Sequence, residues 1–179
     1  MNDPIFLIAV LPPDEIQKEV TGFKEYALRK FNSGHALKSP PHITLQSPFR
    51  WSLKKIKSLK NELSEFANIQ KPFSVELENW DHFSDRVIFL DVLPNPDLTD
   101  LQVSLAGRLF KNLRLKKDTR PFHPHMTVAH KDLKTHYFPK AWAHFSNMKY
   151  NRKFEVEEIV LLRHDGQKWE NFERFGFNN

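Results

Sequence analysis

The chain has 179 residues, enough for one medium domain with a sizeable core, and 40% of them are hydrophobic against 27% charged. It carries no cysteine, which excludes disulfides, thiol nucleophiles and cysteine-ligated zinc and fits a reducing, cytoplasmic setting. A net charge of +5 suits an anionic partner without requiring one, and no stretch approaches the roughly 20 apolar residues of a membrane span.

Residues 5–11 form an unbroken apolar run that follows Asn2-Asp3-Pro4 rather than a basic segment, so they read as a buried strand and not as a signal peptide. Pro12, Pro13, Asp14 and Glu15 supply the prolines and acids of a helix start. The helical pattern runs to about Phe31 and stops at Asn32-Ser33-Gly34. A loop leads to the strand Pro41-His42-Ile43-Thr44-Leu45. Residues 51–68 are a second amphipathic helix, with Leu53, Ile56, Leu59, Leu63 and Phe66 at helical spacing. Residues 73–78 alternate as a half-buried strand does.

Residues 87–93 are the next strand and 94–100 the next helix start, with Leu101, Leu105, Leu109 and Leu113 as the buried stripe. A basic loop, residues 114–120, leads into Pro124-His125-Met126-Thr127-Val128. A weaker helical pattern covers 133–148 and is interrupted at Pro139. A strand opens at Phe154, and residues 159–163 read as its continuation. Residues 168–177 form the return strand of a terminal hairpin turning at Asp165-Gly166.

The second half thus repeats the first. His42 to His125 is 125 − 42 = 83 residues, Asp14 to Asp97 is 97 − 14 = 83, Leu11 to Leu93 is 93 − 11 = 82, and Phe73 to Phe154 is 154 − 73 = 81. One offset held across four elements indicates two β-α-β-α-β halves, about 1–83 and 84–179, related by an approximate two-fold within a single bilobal domain spanning 1–179. Equivalent residues converge near such an axis, so His42 and His125 are expected to share one cleft.

Each repeat carries His-x-Thr-x. In a strand, residues two apart share a face. Ile43 and Leu45, or Met126 and Val128, can then enter the core while His42 and Thr44, or His125 and Thr127, face a cleft. Two imidazoles that titrate near neutrality supply an acid and a base, and threonine hydroxyls donate to phosphate oxygens without adding charge. The set suits attack on a phosphodiester, and the scheme requires no metal and no cofactor. His123 shares a face with His125 and reads as a cleft-edge substrate contact; a metal pair completed by His130 is the other reading, with no carboxylate partner evident. Arg120 is the candidate phosphate contact among the basic loop residues. Phe49 is either a core residue or a surface on which a base stacks.

The paired motifs, the internal repeat and the segment from Arg120 to Ala129 resemble the 2H phosphoesterase superfamily, which includes 2′-5′ RNA ligase-like proteins and cyclic phosphodiesterases. The element string alone would also allow a parallel α/β sheet. The resemblance implies instead an α+β fold of two pseudo-symmetric lobes with mainly antiparallel sheets around a central cleft. It further implies metal-independent opening of 2′,3′-cyclic phosphates at RNA ends or on nucleotides, in some members reversible 2′-5′ ligation, with His42 as acid and His125 as base. The expected protein is a monomer that binds an RNA end or a nucleotide and no membrane. The alternative is a non-catalytic module that holds a nucleotide or RNA end in the same cleft.

Overall fold

The computed structural model describes residues 3–178. Among them, eight strands and four α-helices follow in the order β1 (Ile5–Val10), α1 (Asp14–Phe31), β2 (Ile43–Arg50), α2 (Ile56–Ala67), β3 (Phe73–Phe83), β4 (Val87–Val92), α3 (Pro96–Leu113), β5 (His125–Ala129), α4 (Phe138–Ser146), β6 (Asn151–Val156), β7 (Glu158–His164) and β8 (Trp169–Gly176). They build two four-stranded sheets, ordered β2-β1-β7-β8 and β5-β4-β3-β6, in which every neighbouring pair is antiparallel. The architecture is α+β, and no helix among the described residues is long and apolar enough to cross a membrane.

Local chemistry accounts for the helix limits. Asp14 and Glu15 lie in the first turn of α1, and Asn32 closes it in the left-handed conformation, φ 52°, with its N–H on the Ala27 and Leu28 carbonyls. At the start of α3 the Asn95 side chain accepts the Leu98 N–H at 2.9 Å, and Pro96 occupies the first turn, where its missing N–H costs nothing. Pro139 likewise lies in the first turn of α4, so it begins that helix at Phe138 rather than interrupting one that had begun at Leu133. Leu53 falls in a short 3₁₀ turn ahead of α2 and is exposed, leaving Leu59, Leu63 and Phe66 as the buried stripe.

The halves interlock. β3, from the first half, pairs with β4 of the second, while β7, from the second, pairs with β1 of the first. The helices exchange too: α1 packs against β5 and α4, and α3 against β2 and α2. The boundary near residue 83 therefore does not separate the two sheets. The topological counterpart of β3 is β7, and the matched Phe73 and Phe154 lie instead on adjacent strands of one sheet, with Phe73 opposite Val156 and Val75 opposite Phe154. Residues 159–163 do not continue the strand that opens before Phe154. The chain leaves β6 at Glu157 and enters the other sheet as β7.

β1 shows why its sequence is apolar throughout. Phe6, Ile8 and Val10 join the main core under the helices, while Leu7, Ala9 and Leu11 join Val160 and Leu162 on the opposite face of the sheet. Both faces of this strand are covered, and that opposite face is the one that carries the first motif.

Candidate active site

The alternation within β2 and β5 positions the motif side chains. Ile43 and Leu45 in β2, and Met126 and Val128 in β5, are buried in the main core. Thr44 lies opposite Ala9 in the ladder, and His125 and Thr127 lie opposite Asp91 and Phe89, so the polar residues take the other face of each sheet.

The two imidazoles are held alike. His42 Nδ1 lies 2.7 Å from the Pro40 carbonyl oxygen, and His125 Nδ1 lies 2.7 Å from the His123 carbonyl oxygen, in each case two residues back along the chain. A carbonyl only accepts, so each Nδ1 must carry the proton and donate it. Each Nε2 is then the lone-pair nitrogen of the neutral ring and the donor of the charged one. The intervening residue is proline in both copies, Pro41 and Pro124, whose fixed φ shapes the turn that brings the carbonyl back to the ring.

A cleft of about 590 Å³ opens between the two motif strands. Thr44, Ser47 and Pro48 line one wall; His125, His123 and Arg120 line the other, with Phe83 and Gln102 at its sides. His42 and Thr127 do not themselves line it. His42 stands two residues before Thr44 on the same face and is close enough to His125 that a charge there opposes its own protonation.

Burial sets the resting protonation. His42 is pushed down to about 4, chiefly because the charged ring would lose its solvation, with the positive charges of Lys24, His125 and His130 adding to the effect. Burial also lowers His125, but there the Asp91 carboxylate pulls the other way. At neutral pH both rings are neutral, and the surroundings of the two copies are not equivalent.

The remaining sequence-predicted residues divide. His123 lines the cleft, 3.5 Å from Asp91 through its Nε2, and its carbonyl holds His125. Arg120 also lines it, but its Nε and Nη2 are bound to Asp118 at 3.0 and 2.6 Å, and Ser47 donates to the same carboxylate at 2.7 Å. That clasp ties the basic loop to β2 and holds the Asp118 carboxyl well below the usual carboxylate range. Phe49 is not brought to the histidines; its ring lies 6.3 Å from Phe6 and packs against the main core.

Two aromatic rings line the cleft, Phe122 and Phe83, and Phe83 stands at the end of β3 beside the second motif. The Phe83 ring is edge-on to His123 and His125 at 5.1 and 5.0 Å and rests on Phe89 at 4.4 Å. His130 is not beside His123 but faces His35, with ring centroids 4.9 Å apart, and among the described residues no three His, Cys, Asp or Glu side chains group to hold a metal ion. Away from the cleft, His144 stacks on Tyr26 at 4.1 Å and His82 packs on Trp142 at 4.6 Å.

Sequence reasoning passed over Phe83, Asp91, Asp118 and Lys24. Two of them left a signal. Asp91 interrupts an otherwise apolar strand, and Lys24 falls on the stripe Ile16, Val20, Ala27, Phe31 that buries α1.

Known proteins share this arrangement of elements. The model of the 2′-5′ RNA ligase superfamily matches residues 12–168. A Bacillus cereus (strain G9842) protein provisionally named a phosphoesterase is 32% identical over 123 residues, 68% of this chain and 66% of its own length, and a similarly named Bacillus mycoides (strain KBAB4) protein is 31% identical over the same coverage. The matched stretch thus spans just under two thirds of these relatives. Among solved structures, E. coli LigT with 3′-AMP superposes with a TM-score of 0.70 at 18% identity over 100% of both chains. The Thermus thermophilus protein TT0787 superposes with a TM-score of 0.69 at 17% identity over 97% of both. The chain belongs to the 2′-5′ RNA ligase superfamily.

Proposed function

We propose that the protein is a metal-independent phosphodiester hydrolase acting on 2′,3′-cyclic phosphates of RNA ends or nucleotides, with reversal to 2′-5′ ligation open to the same site. The observation that carries this reading is the pair of imidazoles held in one tautomer by carbonyls two residues back, with Thr44 of the first motif and His125 of the second lining one cleft. In the forward direction His125, neutral at rest, takes a proton from the attacking water as its oxygen bonds to phosphorus. His42, protonated once the anionic phosphodiester lies beside it, delivers its proton to the departing ribose oxygen, so the two rings exchange charge over the turnover. The Thr44 and Thr127 hydroxyls donate to the non-bridging oxygens as charge builds there. Arg120 reinforces that field once an incoming phosphate competes with Asp118 for it.

Phe83 offers a face on which the terminal base stacks. That E. coli LigT is crystallised with 3′-AMP, phosphate, ATP and NADP⁺ supports a nucleotide as the occupant of the corresponding cleft here. The single compact bilobal unit, monomeric and cytoplasmic, belongs to the same proposal.

The test is hydrolysis of 2′,3′-cyclic nucleotides and of short cyclic-phosphate-ended RNA in the presence of EDTA. Turnover abolished by EDTA overturns the metal-independent scheme. Tight calorimetric binding of AMP with no turnover of any cyclic substrate favours a binding module instead.

A further inference from the structure

Lys24 is 2% exposed, and among the described residues it has no carboxylate partner. A buried ammonium is costly, and here burial pulls its pKa down to about 7. Its Nζ donates to two backbone carbonyls, Ala36 at 3.1 Å and Ser39 at 3.0 Å. Those carbonyls frame the short 3₁₀ turn His35–Lys38 and the residue that follows it. The next residue is Pro40, whose carbonyl holds His42 Nδ1. An unbroken run of contacts therefore leads from the interior of α1, through two carbonyls and one proline, to the ring of the first motif.

The second repeat lacks this device. α1 begins at Asp14 and α3 at Pro96, an offset of 96 − 14 = 82 that also relates their last residues, so the residue equivalent to Lys24 is 24 + 82 = 106, a buried alanine on α3. The loop before His125 is anchored from outside instead, by the clasp of Asp118 on Ser47 and Arg120. Nothing in helix propensity favours a lysine on a buried stripe, since a leucine or methionine would fill the same space without desolvating a charge.

We propose that Lys24 is a positioning residue for His42: its buried ammonium clamps the carbonyls of Ala36 and Ser39 so that the Pro40 carbonyl stays on Nδ1 and Nε2 stays turned to the cleft. The inference rests on the two-histidine reading of the site. It predicts that loss of the clamp lowers the rate of the chemical step and leaves substrate binding nearly intact, because the ring is misaligned rather than removed.

The test uses Lys24→Met, which keeps the volume and removes the donors, beside Lys24→Arg, which keeps charge and donors. Ring-nitrogen NMR of His42 in Lys24→Met should show a mixture of tautomers, while His125 keeps its Nδ1–H form as an internal control. Steady-state kinetics should show kcat lowered about tenfold with KM within about twofold, and Lys24→Arg should recover most of the rate. A Lys24→Met protein whose His42 keeps one tautomer and whose kcat matches wild type overturns the proposal. So does one in which both histidines loosen equally, since that marks a general loss of structure.

If Lys24→Met does not fold, the wild-type protein decides. Measured well below pH 7, where the group is charged, its Lys24 ammonium must exchange slowly with water and show hydrogen-bond couplings to Ala36 and Ser39, and their absence overturns the clamp. The NMR readout needs no turnover. Failure of the cyclic phosphodiesterase reading is therefore distinguishable from failure of the clamp.

Discussion

Acidification from pH 7 to pH 5 should destabilise the protein, and His42 should account for a measurable share. An imidazole in the unfolded chain has a pKa of 6.5, whereas burial holds His42 at about 4. Between these values the unfolded state binds the proton and the folded state does not, so stability is lost as pH falls through 6.5 and the loss is complete only below about 4. At pH 5 the linkage amounts to about 2 kcal/mol for this one group, relative to pH 7. His130, also held at about 4 by burial and by the neighbouring His35 and Lys131, contributes separately.

The window avoids the carboxylates. Glu19 and Glu62 are lowered from 4.5 by their arginine and hydrogen-bond partners, so their contributions are lost only at lower pH. The assay is urea unfolding of wild type and His42→Gln at pH 7 and pH 5. The loss between the two pH values should be smaller in the variant by about 2 kcal/mol. If both proteins lose the same amount, His42 is not held neutral by burial, and the account of its resting protonation is wrong.

Three further outcomes follow from the site. His42→Ala and His125→Ala should each lower kcat by about 10²–10⁴-fold, and the double variant should lose far less than the product of the two, because the rings act as one unit; a fully active single variant removes that residue from the mechanism. Phe83→Ala should raise KM for a cyclic nucleotide by about 5-fold or more with little effect on unfolding, whereas Phe49→Ala should lower stability by about 2–4 kcal/mol and leave KM alone; the reverse pattern would return the stacking role to Phe49. The pH profile of kcat/KM should be bell-shaped with its maximum below pH 6.5, since burial lowers both histidines in the free protein.

The two His-x-Thr motifs, their burial alternation and most helix limits were legible because they rest on local rules. Period-two alternation put Ile43, Leu45, Met126 and Val128 into the core, and prolines with acids marked the starts of α1 and α3. Phe49 was left between two readings, core residue or stacking surface. It follows the first motif closely, but sequence proximity does not say which face of β2 a ring takes, and Phe6 opposite it in the ladder draws it into the core. The repeat offset found the duplication but could not say which half supplies the third strand of each sheet, because hydrophobic strands of similar length carry no label for their partners.

Residue types and local periodicity are enough to give two equivalent motifs on two strands, each with an apolar pair to bury and a polar pair to present. Their chemistry follows from the residue types, which need no fold to be read. Long-range packing is what makes β3 and β7 change sheets, turns Phe83 rather than Phe49 to the cleft, and puts Lys24 near His42 and Asp91 near His125. These are contacts between residues far apart in the chain. They depend on which apolar faces meet, and that is set by the packing of the whole molecule rather than by any segment of it.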